Sequence, residues 1–133
     1  MTGIDTNILV RFLTGDDPKQ SPAAERFLKK NCTAEDQGWI GVIVLCELVW
    51  VLARGYKYTR EEIATVLTQL LKTAEFELED NGCVRRALRI YQEQGGDFAD
   101  ALIAQRNASV GAEVTYTFDQ GAAKLSGFKR LKG

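Results

Sequence analysis

Residues 37–55 read Gln-Gly-Trp-Ile-Gly-Val-Ile-Val-Leu-Cys-Glu-Leu-Val-Trp-Val-Leu-Ala-Arg-Gly, and this stretch decides the predicted fold. Its first five residues are predicted to form a short buried strand. Val42 to Arg54 is predicted as an almost wholly apolar helix that ends at Gly55. The apolar run is too short to cross a bilayer, so we expect the helix to lie within a globular domain.

The alternation of strand and helix extends in both directions from this stretch. Towards the N-terminus, a strand ends at Asp5 and a helix ends before Gly15; a second helix is predicted to begin at Pro22, because proline suits a first helical position. Towards the C-terminus, Thr59 and Glu62 form a capping box for the next helix. Further strands are predicted at 75–78, 113–118 and 128–131, and further helices around 84–91, 97–108 and 120–125. This alternation predicts an α/β fold with a parallel sheet covered on both faces.

The composition limits the classes of function. The chain has 133 residues, which suits one domain spanning 1–133. Its net charge of −1 provides no overall basic field, so a polyanionic ligand would need a local basic patch or bound cations. Three widely spaced cysteines without a CxxC pattern favour free thiols and a cytoplasmic location, and no membrane segment is expected. The absence of histidine excludes imidazole-based catalysis and the usual zinc sites.

Several acidic side chains are candidates for a functional site that binds a cation. Glu47 is the only charged residue between Gly41 and Ala53, and its helix offers no cation three or four residues away. A role as ligand of a bound cation is therefore favoured over a distant ion pair or exposure through a gap in the core. Asp5 and Asp119 each follow the carboxyl end of a predicted strand, where ligands of parallel sheets bind, although either could cap a helix instead.

Asp97 and Asp100 open a predicted helix, where the helix dipole stabilises both carboxylates. Asp97 suits the N-cap, and Asp100 lies one turn further in. Oxygen-only ligation by such acids selects Mg²⁺ or Mn²⁺. These ions would reverse the repulsion between carboxylates and a phosphodiester, so the acids together predict phosphoryl chemistry.

Five segments, in their order and spacing, resemble the PIN-domain nucleases, and more narrowly the VapC-type ribonuclease toxins of toxin–antitoxin pairs. They are Ile-Asp-Thr-Asn-Ile-Leu-Val-Arg-Phe-Leu (4–13), Asp-Asp-Pro (16–18), Glu-Leu-Val-Trp-Val-Leu (47–52), Asp-Phe-Ala-Asp-Ala-Leu-Ile-Ala (97–104) and Thr-Phe-Asp (117–119). The resemblance covers essentially the whole chain. It implies a three-layer α/β/α sandwich with a central parallel sheet of about five strands, and RNA as substrate.

The resemblance also assigns the site residue by residue. It implies four catalytic, metal-binding acids: Asp5, Glu47, Asp100 and Asp119. The first three would hold one Mg²⁺ (or Mn²⁺), and the fourth would help a second ion or the attacking water. Supporting positions are Thr6, Asn7, Thr117 and Asp97, the last as a helix cap or an acid outside the inner ligand set.

The partners implied by the resemblance are an RNA substrate, a cognate antitoxin and a second copy of the chain in a homodimer. The antitoxin tail is expected to cross an apolar groove, for which Phe12 and Trp50 are candidates. Cations near the acidic segments are candidates for contact with RNA: Arg11, Arg54, Lys57, Arg106 and Lys124.

Three other interpretations stay open at this point. A phospho-accepting receiver domain has a similar length and also uses Mg²⁺ and aspartates, but it would require paired acids at the first strand. A PIN domain that no longer cleaves could act as an interaction scaffold, although all four acids are retained. A housekeeping RNA-processing enzyme would share the site without the antitoxin.

Overall fold

The computed structural model describes residues 1–133, which divide into two compact units, Met1–Glu79 and Asp80–Gly133. The elements of the first unit are β1 Thr2–Gly3, α1 Thr6–Thr14, α2 Gln20–Asn31, β2 Gly38–Ile40, α3 Val42–Gly55, α4 Arg60–Lys72 and β3 Phe76–Leu78. The elements of the second unit are α5 Asn81–Gln94, α6 Phe98–Ser109, β4 Thr115–Thr117, a 3₁₀ turn Ala122–Lys124 and β5 Phe128–Arg130.

All strand pairs are parallel, which confirms the α/β class. In the first unit the strand order is β1-β2-β3, with Gly38 in register with Thr2 and Phe76. In the second unit β4 pairs with β5. The hydrogen bonds do not form the expected single sheet of about five strands. The strands pair instead in one group of three and one group of two. Each strand is only two or three residues long, and the two residues of β1 direct their ladder bonds to β2.

Local capping explains where several helices begin. The predicted capping box of α4 is present, with the Thr59 and Glu62 side chains each accepting a backbone N–H of the other residue. The prediction that α2 begins at Pro22 is wrong by two residues. The carboxylate of Asp17 accepts the N–H groups of Lys19 and Gln20 and so starts the helix earlier. Pro22 still lies in the first turn, where its missing N–H removes no helical hydrogen bond.

Helix α3 has an unusual start, because its N-cap residue is Gly41, which has no side chain to accept a hydrogen bond. Glu79, just beyond strand β3, supplies the missing acceptor: its Oε1 accepts the Val42 N–H at 2.9 Å. Glu79 N–H in turn donates to the carbonyl of Ile40 at 2.9 Å. The end of β3 therefore completes the end of β2 and the start of α3.

The core of the first unit contains the inward face of α3, where Leu45, Leu48 and Leu52 are fully buried. In the second unit, α5 packs on α6, and Tyr91 meets Phe98 edge to face with ring centroids 6.2 Å apart. None of the three cysteines is in a disulfide. No helix combines the length and apolar character that crossing a membrane requires.

Candidate active-site residues

In the first unit, Thr6 connects two of the predicted acids. Asp5 is the N-cap of α1, and its Oδ1 accepts the backbone N–H of Thr6 at 2.7 Å. The hydroxyl of Thr6 donates to Glu47 Oε1 at 2.7 Å, although Glu47 lies 41 residues further along the chain. Asp5 and Glu47 therefore flank one residue. The second oxygen of each carboxylate accepts no hydrogen bond from the protein.

The surroundings of Glu47 differ from the prediction. Its side chain is exposed rather than enclosed by apolar groups. It shares a face of α3 with Ile43 and Trp50, which are 76% and 63% exposed and stand four residues before and three residues after it. The free-energy cost of burying a lone carboxylate therefore does not apply to Glu47, and the prediction based on it is wrong. The hydrogen bond from Thr6 connects Glu47 to the start of α1 beside Asp5, while the side chain of the neighbouring Asn7 is exposed and makes no hydrogen bond.

In the second unit, Asp97 and Asp100 have distinct environments at the start of α6. Asp97 is the N-cap, and its Oδ1 accepts the Ala99 N–H at 3.1 Å. Asp100 is half-buried and accepts no hydrogen bond. Its pKa is raised, first because burial disfavours the charged carboxylate and then because Asp97 and Asp119 repel it. A bound cation would offset both effects.

Asp119 follows strand β4 and is oriented by two backbone groups. Its own N–H donates to Thr117 Oγ1 at 3.0 Å, and its Oδ2 accepts the Ala122 N–H at 2.8 Å, at the start of the 3₁₀ turn. The capping role considered for Asp119 is therefore real. It engages only one carboxylate oxygen, so Oδ1 remains available to a ligand.

The backbone before α6 explains how its two acids are positioned. Gly95 and Gly96 both have positive φ, 79° and 77°, which favours glycine over other residues. A side chain at Gly96 would also collide, since its Cβ would lie 2.9 Å from Leu125 Cδ2. Phe98, between the two acids in sequence, is fully buried and holds the first turn of α6 against α5.

Two of the cations predicted to contact RNA are engaged elsewhere. Arg11 donates to Asp16 at 3.1 Å and to Gln20 at 2.8 Å, and Arg106 donates to Asp80 at 2.9 Å. By contrast, Arg54, Lys57 and Lys124 are exposed and have no ion-pair partner. Arg11 and Arg106 thus stabilise contacts within their own units.

The sequence does not predict a polar cluster around Asp16, because Asp-Asp-Pro (16–18) contributes only the break after the first helix and one of the segments that resemble PIN-domain nucleases. The Asp16 carboxylate accepts hydrogen bonds from the hydroxyls of Tyr56 at 2.6 Å and Thr14 at 2.8 Å, and from the guanidinium of Arg11. These donors lower its pKa to about 2, with Tyr56 as the largest cause. The cluster ties the loop after α1 to the end of α3, the helix that carries Glu47.

The potential metal ligands are all oxygens, and the structure brings them together within each unit only in part. The first unit joins Asp5 and Glu47 through Thr6, and the second places Asp100 within electrostatic range of Asp97 and Asp119. The structure groups no three acidic side chains closely enough to hold an ion. The donor chemistry fits a hard divalent cation such as Mg²⁺, which keeps several waters and needs few protein ligands.

Comparison with known proteins identifies the class. The PIN domain family model matches residues 4–127, so the chain belongs to the PIN-domain family. Within that family, the chain is 30% identical over 128 residues to a VapC ribonuclease of Aquifex aeolicus (strain VF5). The match covers 96% of this chain and 93% of the relative, and it confirms the resemblance to VapC-type nucleases.

Proposed function

We propose that the chain is a Mg²⁺- or Mn²⁺-dependent endoribonuclease whose catalytic acids are Asp5, Glu47, Asp100 and Asp119. The observation that carries the proposal is the half-buried Asp100, which lacks a hydrogen-bond donor and is repelled by two nearby acids. Such a carboxylate is stabilised by a cation. Membership of the PIN family and the similarity to a VapC ribonuclease make RNA the expected substrate.

We further propose that residues 1–133 act as one nuclease domain of the three-layer α/β/α type that membership of the PIN family implies. In both units, acids follow the carboxyl ends of strands: Asp5 lies shortly after β1 and Asp119 shortly after β4. Parallel strands in one sheet place their carboxyl ends at one edge, which is where α/β proteins bind ligands.

In this proposal, Asp5, Glu47 and Asp100 hold the ion through oxygens that accept no protein hydrogen bond. The ion, when bound, would offset the charge of the scissile phosphate and stabilise the leaving oxygen. Thr6 keeps Glu47 turned towards Asp5, and Thr117 fixes the backbone of Asp119. Asp119 would orient the attacking water or assist a second ion through its remaining oxygen.

The biological role we propose is that of a cytoplasmic toxin, active as a homodimer and blocked by a cognate antitoxin. An apolar cavity of about 720 Å³ in the first unit supports a docking site for an apolar antitoxin segment. Phe12 lines this cavity together with Leu28, Val66 and Phe76. Trp50 does not line it and lies instead on the exposed face of α3 beside Glu47.

A housekeeping RNA-processing enzyme would have the same acids, so the two roles are separated in cells. Induction of a toxin arrests growth, and coexpression of its small antitoxin rescues it. The Asp100→Asn variant should abolish the arrest. Normal growth on induction of active enzyme would favour the housekeeping role.

The biochemical test compares cleavage of labelled RNA by the wild-type protein with Mg²⁺, by the wild-type protein with chelator, and by the Asp5→Asn and Asp100→Asn variants with Mg²⁺. We expect cleavage only in the first of these four reactions. Glu93→Gln removes an exposed acid from the second unit and should cleave like the wild type. Equal cleavage in all reactions would point to a contaminating ribonuclease and refute the proposed site.

A further inference from the structure

Two hydrogen-bonded links join α1 to α3, one at each end of α1. In the first link, at the start of α1, the Thr6 hydroxyl donates to Glu47 Oε1. In the second link, the hydroxyl of Tyr56, the residue that follows α3, donates to Asp16 Oδ2 at 2.6 Å. Asp16 lies in the loop just beyond the end of α1. The two helices are therefore held together at two separated points.

The two links are equally far apart along both helices. Helix α1 runs for nine residues from Thr6 to Thr14, and α3 runs for the same number from Glu47 to Gly55. At about 1.5 Å per residue, each of these spans is roughly 12 Å long. The two helices follow the parallel neighbours β1 and β2, so both start from the same edge of the sheet. The matched spans therefore hold α1 and α3 in one register.

Apolar packing alone does not fix this register. Helix α1 buries Leu9 and Val10, and α3 buries Leu45, Leu48 and Leu52. The attraction between apolar side chains depends on the area removed from water and has little directional preference. A hydrogen bond, by contrast, weakens steeply when its donor and acceptor are misaligned. The links at the two ends therefore restrict sliding and rotation of one helix against the other.

The second link is reinforced by side chains of α1. Arg11 Nη1 donates to Asp16 Oδ1 at 3.1 Å and to Tyr56 Oη at 3.4 Å. The Thr14 hydroxyl donates to Asp16 Oδ1 at 2.8 Å. The hydrogen bond from Tyr56 is the largest cause of the lowered pKa of Asp16, about 2, so this carboxylate is charged at neutral pH. The link is therefore complete under the conditions in which the enzyme would act.

We propose that Asp16 and Tyr56 are positioning residues for the candidate metal site, an inference that rests on the proposed ribonuclease function. The second link holds α1 and α3 in the register in which the Thr6 hydroxyl meets Glu47. The side chain of Glu47 is exposed and accepts no other hydrogen bond, so its orientation depends on that register. Tyr56 touches neither the ion nor RNA in this proposal and acts through the helix that carries Glu47.

The test uses Tyr56→Phe, which removes the hydroxyl and keeps the ring. The first readout is the carbon resonance of the Glu47 carboxyl group, measured by NMR in chelator and assigned by its loss in Glu47→Gln. This resonance should shift in the same direction in Tyr56→Phe as in Thr6→Val. The second readout is RNA cleavage with Mg²⁺, where kcat should fall by up to about fivefold with KM unchanged, as expected for the loss of one hydrogen bond.

Tyr58→Phe is the matched control, because the Tyr58 hydroxyl lies on the same segment and makes no hydrogen bond. This variant should keep the wild-type resonance and the wild-type kcat. Thermal unfolding should confirm that both tyrosine variants are folded at the assay temperature. A shifted resonance in the control would show that the readout responds to any change near the end of α3, and would overturn the assignment to Tyr56.

A double-mutant comparison separates positioning from general stability. If the second link acts through the first, Tyr56→Phe has no further effect on kcat in a Thr6→Val background. Equal losses of kcat in the two backgrounds would overturn the proposal, as would a wild-type kcat and an unshifted Glu47 resonance in Tyr56→Phe. Failure of the ribonuclease proposal gives a different result: the wild type cleaves no RNA with Mg²⁺, while the Glu47 resonance still reports the second link.

Discussion

Replacing Thr6 by valine would test whether the link between Asp5 and Glu47 matters for catalysis. Valine has nearly the shape of threonine but lacks the hydroxyl that donates to Glu47 Oε1 at 2.7 Å. The backbone N–H of residue 6 would still donate to Asp5, so the cap of α1 is retained. The substitution therefore removes one hydrogen bond and frees the Glu47 side chain to rotate.

The expected size of the effect follows from that hydrogen bond. Hydrogen bonds to charged groups contribute about 1.5–3 kcal/mol, but Glu47 is exposed and water replaces much of the loss. We therefore expect the free energy of unfolding to fall by only about 1 kcal/mol or less. If the bond holds Glu47 in its working orientation, the same free energy raises the barrier, and kcat falls by up to about fivefold, since 1.36 kcal/mol corresponds to a factor of ten.

The assay is single-turnover cleavage of labelled RNA over a range of Mg²⁺ concentrations, with thermal unfolding measured in parallel. Thr6→Ser keeps a hydroxyl and should restore most of the activity. Thr65→Val is the matched control, because the Thr65 hydroxyl donates only to the Glu61 carbonyl within α4. Wild-type kcat and Mg²⁺ dependence in Thr6→Val would refute the idea that Thr6 positions Glu47.

Three further predictions concern single residues. Asp16→Asn should lower the melting temperature at neutral pH but not near pH 2. The lowered pKa of Asp16 contributes stability that is present above its ordinary pKa of 3.8 and is lost as the pH falls towards about 2. Parallel curves of stability against pH for the wild type and the variant would contradict this. Gly96→Ala should destabilise the protein more than Gly111→Ala in urea unfolding, because both residues have positive φ but only Gly96 faces a close atom, Leu125 Cδ2; equal losses would show that the contact is relieved without cost. Asp97→Ala should lose about 1 kcal/mol of stability and Asp97→Asn much less, since asparagine also caps helices, and both should cleave RNA; loss of cleavage in Asp97→Asn would make Asp97 a ligand.

Much of the fold could be predicted because local signals at particular residues agree. Gly15 ends α1 with a φ of 61°, and the capping box of Thr59 and Glu62 starts α4, as their sequence patterns indicate. The predicted start of α2 at Pro22 is too late, because the side chain that caps the helix belongs to Asp17, further upstream. The pairing of strands as three and two depends on backbone contacts of very short strands, which residue types do not encode.

The surroundings of Glu47 differ from those that its sequence neighbours predict. Those neighbours are apolar, yet Ile43 and Trp50 are exposed beside it rather than packed around it. The hydrogen bond from Thr6 to Glu47 joins residues 41 positions apart, so the local periodicity of the sequence does not predict it.

The start of α3 is completed late during synthesis of the chain, because its first N–H group donates to a residue beyond strand β3. A helix that borrows its first acceptor from Glu79, 37 residues downstream of Val42, lacks that acceptor on the ribosome until the third strand has emerged and paired. The start of that helix is thus completed only after most of the first unit has been synthesised. Incomplete translation products that end before Glu79 would therefore carry a third helix whose first N–H group lacks its acceptor.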